Sequence, residues 1–233
     1  MFLDNAIGGA GLAALVMMTT AAIASRIHPT AAVHSAMQHL AAGVICAVVA
    51  AELVPQAMET GRPAELSMGF AAGLVLMLTA KALSDRLGGE QRRTGMLIAV
   101  GVDVAIDGLL IGVGFAIGAG TGSLFVLAFA LEFTAVGLVI GAAPGQSTAR
   151  SAGIAALISA PVIPAAAAGE WLLSPLSLPL EAALMGFAAS VCLYLVIEEL
   201  MREAHAVKEH PVANWLFFAG FLALVLLQMH NES

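Results

Sequence analysis

Residues 97–118 read LIAVGVDVAIDGLLIGVGFAIG, a run of apolar and glycine residues interrupted only by Asp103 and Asp107. A helix of a soluble protein keeps a polar face, and this one has none. The run is therefore read as a helix crossing the ~30 Å hydrocarbon core of a bilayer, which takes about 20 such residues. At i, i+4 the two aspartates share one helix face, about 6 Å apart along the axis. A charge at that depth costs about 2.5 to 3.5 kcal/mol on insertion scales, so its presence asks for a function.

The same texture extends over the whole chain. Among 233 residues, 60% are hydrophobic and 11% charged, which leaves too little polar side chain to cover a soluble surface. Cutting at the polar clusters predicts eight spans, near 6–26, 35–55, 66–84, 97–119, 123–142, 151–170, 180–201 and 212–230, in one all-α transmembrane domain over residues 1–233. Breakers stand beside the cuts: His28-Pro29, Pro55, Pro63, Gly88-Gly89, Pro144-Gly145, Pro175, Pro179 and Pro211. Pro161 and Pro164 instead fall inside the sixth span and predict a kink or a break there. The first span has no basic residues before it and carries Asp4, so it is expected to be a retained helix rather than a cleaved leader.

Basic residues orient the spans. Arg26, Lys81, Arg86, Arg92, Arg93, Arg150, Arg202 and Lys208 fall in one alternating set of loops and Arg62 alone in the other. Because Lys and Arg stay on the cytoplasmic side, both termini are expected outside. The net charge of −7 reflects the scarcity of Lys and Arg, only 9 in all, and no nucleic-acid partner is expected. Cys46 and Cys192 lie in apolar runs without a CxxC or Cys/His cluster and read as small packing groups.

An internal repeat is visible. AAGVICAVVAAELVPQA from Ala41 and AASVCLYLVIEELMREA from Ala188 agree without gaps at Ala41/Ala188, Ala42/Ala189, Val44/Val191, Val49/Val196, Glu52/Glu199, Leu53/Leu200 and Ala57/Ala204. With eight spans the two segments run in opposite directions, which makes the repeat an inverted one. Such repeats mark transporters working by alternating access, with the binding site between the halves near the midplane.

The fifth span, LFVLAFALEFTAVGLVIG over 124–141, adds a third carboxylate, Glu132. At 1.5 Å per residue Asp107 lies about 15 Å from one face and Glu132 about 13 Å from the other, so both approach the midplane. Three carboxylates at similar depth cannot all be ionised without a counterion, and spans four and five offer no Lys or Arg at that depth. A divalent cation on Asp103, Asp107 and Glu132 is the simplest solution; shared protons serving structure or a proton relay are the other. Glycines 101, 108, 112, 114 and 118, with 137 and 141, permit close helix approach. Glu52, Glu198 and Glu199, near helix ends, and His39, one turn into span two, are either solvated groups or steps of an ion path.

At these residues the chain resembles the ZIP family of divalent metal transporters. The resemblance implies eight helices in an inverted 3+2+3 arrangement, both ends outside, and a metal site on helices four and five. The family's His-Asn-x-x-Asp/Glu-Gly pattern is similar to Asp103-Val104-Ala105-Ile106-Asp107-Gly108, followed by Gly112, and its His-Glu-x-Pro-Glu-Gly pattern to Glu132-Phe133-Thr134-Ala135-Val136-Gly137. The Glu-Leu ends of spans two and seven and Tyr194 also look like the family's. Both motif histidines are carboxylates here. Val104 and Phe133 stand where the family builds a second metal site, Val136 removes a ligand from the first, and no His-rich tract occurs between Ser84 and Thr94.

The function expected is transport of a divalent metal ion, zinc, iron, manganese or cadmium, towards the cytoplasm through one midplane carboxylate site, with water, Thr134 or a backbone carbonyl completing the shell. All-oxygen ligation favours harder ions than imidazole would. The alternative is a non-transporting sensor of metal or protons with the same fold. An enzyme is not expected: the two aspartates share one helix, unlike an intramembrane aspartyl protease, and HExxH and phosphate-cradling loops are absent. The expected setting is a bacterial plasma (inner) membrane, with the metal ion, the lipid bilayer and a second copy in a homodimer as partners.

Overall fold

The computed structural model describes residues 5–87, 92–145, 147–173, 177–206 and 211–231. Asp4, Gly88, Gly89, Pro175 and Lys208, which served above as markers, lie outside them, as does part of the Ser84–Thr94 loop. The described chain is helical throughout, without a strand: α1 (Ala6–Ile27), α2 (Ala31–Val48), a π-helical turn (Val49–Leu53), α3 (Val54–Glu59), α4 (Pro63–Leu87), α5 (Arg92–Ile117), α6 (Ala119–Ala142), α7 (Thr148–Ser159), α8 (Val162–Leu173), α9 (Leu178–Leu195), a second π-helical turn (Val196–Leu200), α10 (Met201–His205) and α11 (Pro211–Asn231). Through their π turns, α2–α3 and α9–α10 are continuous rods, Ala31–Glu59 and Leu178–His205, and α7–α8 form one interrupted rod. Among the described residues, seven rods are long and apolar enough to cross a bilayer, and α11 adds the shorter apolar stretch Asn214–His230. The protein is an all-helical integral membrane protein.

Local chemistry sets the helix ends. Asn5 accepts from the Gly8 N–H, and Glu170 accepts from the Ala6 N–H at 3.0 Å, so two of the four free donors opening α1 are met by side chains. His28 closes α1 in the left-handed region at φ 48°, its N–H on the Ala24 carbonyl, and Pro29 prevents continuation. The sixth rod breaks at Ala160-Pro161 as its prolines predict, whereas Pro164 fits the first turn of α8, where its missing N–H is not needed. Pro55 is a correction. It was expected to end span two, but the rod runs on to Glu59. The wide π turn just before it relieves the clash between the proline ring and the carbonyl four residues back.

The repeat reaches beyond sequence. Val49–Leu53 and Val196–Leu200, aligned by the repeat, are the two π turns. Helix pairs also come in twos: α2 packs on α11 as α9 packs on α4, and α1 on α6 as α8 on α5. These pairs exchange when the first three rods are swapped for the last three and α5 for α6. Individual contacts obey the same exchange. Gly220 lies against Leu40 and Val44; 147 positions away in each case, Gly73 lies against Phe187 and Val191. Gly108 and Gly112 approach the Val162 and Ala166 carbonyls as Gly137 and Gly141 approach those of Met17 and Ala21. The antiparallel course of the two π rods is fixed by Gln38, which donates to Glu203, and Ser35, which donates to the Ala204 carbonyl at 2.9 Å.

Ala, Val, Leu and Phe fill the interior between these helices, with Phe125, Phe129 and Phe133 fully buried along α6. Large apolar side chains such as Leu157, Ile197 and Phe218 point outward, as a lipid environment requires. Trp171, near the end of α8, and Trp215, at the start of α11, are both exposed, positions suited to the headgroup regions of a bilayer.

Candidate metal site

Asp103 and Asp107 on α5 meet Glu132 on the neighbouring α6, and farther along the two helices Gly114 lies against Gly122. One carboxylate oxygen from each lies within 4.8 Å of the others, and among the described residues no other three His, Cys, Asp or Glu side chains gather so closely. Asp103 and Glu132 correspond under the exchange of α5 and α6: each precedes by five residues the first glycine of its close-approach pair, Gly108 or Gly137. Asp107 has Val136 as its counterpart, so the site departs from symmetry at that position.

The burial of these acids is severe. Asp107 is fully buried and Glu132 is 4% exposed. Neither Asp107 oxygen has a hydrogen-bond partner, and Asp103 Oδ1 and Glu132 Oε2 have none either. The ion pairs among the described residues, Arg62–Glu65 and Lys81–Glu198, leave all three acids aside. Bare carboxylates in such surroundings need positive charge, from protons or a cation. Donor oxygens around one divalent ion at 2.0–2.6 Å lie at most about 5 Å apart, so the spacing fits a single ion with water in its remaining positions.

Two cavities reach the triad, both bounded by basic residues. One, of about 200 Å³, runs between α4, α5 and the α9–α10 rod and is lined by Lys81, Asp103, Tyr194, Glu198, Glu199, Arg202 and Glu203. The other, of about 480 Å³, touches Asp103 and Glu132 but is walled mainly by Val139, Ile140, Ile154, Leu157 and Ile158, with Arg150 among its lining residues. Asp103, Glu199 and Glu203 line both.

At the opposite ends of the helices the polar groups are locked together. Glu52 Oε1 accepts from Gln56 at 2.5 Å and from Thr121 at 2.8 Å, and its Oε2 accepts from Gln228 at 2.7 Å. The acid thus joins the first π turn to α6 and α11.

The expected residues are distributed accordingly. Asp103, Asp107 and Glu132 converge; Glu199 lines the way to them; Glu198 pairs with Lys81 at 2.6 Å. Glu52 stands apart in its own network. His39 is 1% exposed, its Nδ1 against the Ser35 carbonyl and its ring 5.4 Å from that of His205, and it lines neither cavity. Thr134 donates to the Ala130 carbonyl on its own helix and also lines neither. Cys46 and Cys192 are free thiols, half-buried and buried. Sequence reading missed Gln38, Gln56, Thr121, Glu203 and Gln228. The repeat held a signal for three of them, because an offset of 147 carries Gln56 onto Glu203 and Lys81 onto Gln228.

Comparisons with models of protein families and with curated proteins each return no match for this chain.

Proposed function

We propose that the protein is a ZIP-like transporter that carries divalent metal cations towards the cytoplasm, with eight spans, both termini outside, in a plasma membrane. The observation that carries the reading is Asp107: wholly buried, both oxygens without a partner, and within 4.8 Å of two further acids. A purely structural acid at that depth would be hydrogen-bonded.

The metal ion is substrate, not a resident group. Three carboxylates neutralise its charge at the midplane, and all-oxygen ligation suits manganese or iron better than imidazole would, with zinc and cadmium still able to bind. The paired helix contacts support a carrier whose halves can exchange roles around the central site. In this arrangement the cavities reach the site from the basic end while the Glu52 network closes the other.

The test is uptake of a radioactive metal tracer by proteoliposomes, with Zn²⁺, Cd²⁺, Fe²⁺, Mn²⁺, Mg²⁺ and Ca²⁺ as competitors. Asp107→Asn is expected to reduce uptake to the level of empty vesicles while the purified protein keeps its elution profile. Unchanged uptake would remove the proposal.

One observation favours a second reading, a sensor that binds metal without moving it. Val104 and Phe133, where the family's second site would stand, are both buried hydrocarbon. Binding without flux in the same preparation is the outcome that selects it.

A further inference from the structure

We propose that the larger cavity is a binding slot for a single-chain amphiphile with a primary ammonium head, which seats its head on Asp103 and Glu132 and its hydrocarbon between α6 and α7. Its binding does not depend on whether the triad moves metal.

The slot follows from helix periodicity. On α6 the lining residues Val136, Val139, Ile140 and Ala143 follow Glu132 at i+4, i+7, i+8 and i+11, which is one helix face. The facing wall, from α7, is Ile154, Leu157 and Ile158, at i+4, i+7 and i+8 from Arg150. At 1.5 Å per residue the α6 face runs about 16 Å from the acid to the far end. The volume of about 480 Å³ is that of a small-molecule site. Val139 and Leu157 are both exposed side chains within spans, so the slot is open at its side where lipid surrounds the rods.

The polar end asks for donors. Among the described residues lining the slot, the buried polar atoms without a partner are Gln38 Oε1, Asp103 Oδ1 and Glu132 Oε2, all of them acceptors. Gln38 is 2% exposed and stands outside the triad, so an ion held by the triad leaves its oxygen unused. Its amide nitrogen donates to Glu203, which fixes the oxygen as the free atom. A primary ammonium brings three N–H donors. Asp103 and Glu132 present oxygens within 4.8 Å of each other. One nitrogen at ~2.8 Å from each can bridge up to about 5.6 Å.

Charge selects the same head. Asp103, Glu132, Glu199 and Glu203 line the slot, with Arg150 the one Lys or Arg among its described lining residues. Arg150 is exposed and already met by water, so an anionic amphiphile would gain little from it and would leave the three oxygens bare. A lipid acyl chain would suit the walls but leave the same oxygens bare. Because the ammonium shares Asp103 and Glu132 with the triad, amphiphile and metal ion exclude each other.

Octylammonium, octyltrimethylammonium and octanoate, each dialysed to equilibrium between the full-length protein in neutral-lipid nanodiscs and empty nanodiscs, distinguish the occupants. Octylammonium should bind about tenfold or more tightly than octyltrimethylammonium, which has the same charge and chain but no N–H. Octanoate should show no excess over empty nanodiscs. Absence of octylammonium binding overturns the proposal. Equal binding of the two cations overturns it in favour of an acyl chain, and stronger binding of octanoate in favour of an anion on Arg150. Ile154→Phe and Val139→Phe, which fill the slot from its two walls, should each weaken octylammonium about tenfold while manganese binding is kept. Val139 is an exposed position, so its variant is expected to fold, and octylammonium binding unchanged in both variants would place the ligand elsewhere and overturn the proposal. Asp107, which does not line the slot, separates the two sites: Asp107→Asn should lose manganese and keep octylammonium, so either site can fail without the other.

Discussion

Glu52 and Glu199 occupy the same position in two π turns 147 residues apart, yet one is clamped and the other faces a cavity. The difference lies in their equivalent neighbours. Gln56 and Gln228 donate to Glu52, while their counterparts Glu203 and Lys81 are charged and line the cavity. Neutral amides can satisfy one carboxylate completely without water; a cluster of like charges cannot, and keeps its end wet. A symmetric backbone thereby acquires one closed and one open end.

Two substitutions at equivalent positions should therefore differ in cost. Gln228→Leu removes the donor from Glu52 Oε2 in a partly buried network and should lower stability by about 1 to 3 kcal/mol. Lys81→Met breaks a pair whose side chains are 42% and 43% exposed and should cost under about 1 kcal/mol. Thermal unfolding in one detergent measures both. Equal shifts in Tm would mean that the two ends are held alike.

The seam between α5 and α8 admits no extra carbon at Gly112. A Cβ there would lie 2.3 Å from the Ala166 carbonyl oxygen and 2.8 Å from two further backbone atoms, none of which can swing aside. Gly112→Ala should push the helices apart and cost about 1 to 3 kcal/mol, loosening the site that α5 carries. Gly101, on the same helix, has nothing within 4 Å of an added Cβ. Gly101→Ala should be neutral or stabilising by up to about 1 kcal/mol, since alanine is the better helix former. If both variants behave alike, the close approach does not exist in the membrane.

Much of this arrangement is legible in the sequence, because lipid imposes simple rules. Runs of about 20 apolar residues must be helices, so span positions follow from hydropathy, and an acid in mid-span stands out against that background. The convergence of Asp103, Asp107 and Glu132 follows from depth counted along two antiparallel helices. The π turns are not legible: VAAEL and VIEEL carry no composition that separates a π turn from an α turn. Pro55 misleads for that reason, as a proline ends a helix only where the preceding turn is tight. The Glu52 clamp is hidden differently. Gln56, Thr121 and Gln228 are uncharged and far apart in the chain, and only tertiary packing brings them to one carboxylate.

Sidedness can be checked with exposed positions at the two ends. Glu59 closes the second rod and Ala149 lies in the first turn of α7, both exposed. In intact cells a membrane-impermeant thiol reagent should label Glu59→Cys and leave Ala149→Cys unlabelled until the membrane is opened. Cys192 is buried and Cys46 half-buried within a span, so neither should contribute. Labelling of both positions from one face would contradict the three crossings proposed between them, and labelling of Ala149→Cys alone would invert the proposed orientation.

Val136 offers a gain of function. It stands on α6 at the place that corresponds to Asp107 on α5, and it lines the larger cavity beside Glu132 and Asp103. A donor at this position could reach the ion from the side left bare by the asymmetry of the triad. Imidazole favours zinc over manganese more strongly than carboxylate does. Val136→His should accordingly raise the preference for Zn²⁺ over Mn²⁺ in the competition assay by about tenfold, an order of magnitude that corresponds to ~1.4 kcal/mol. Val136→Leu, similar in polarity and without a donor, should leave the ratio where it was. A shift produced equally by leucine would trace to cavity shape, and the position would then not belong to the coordination shell.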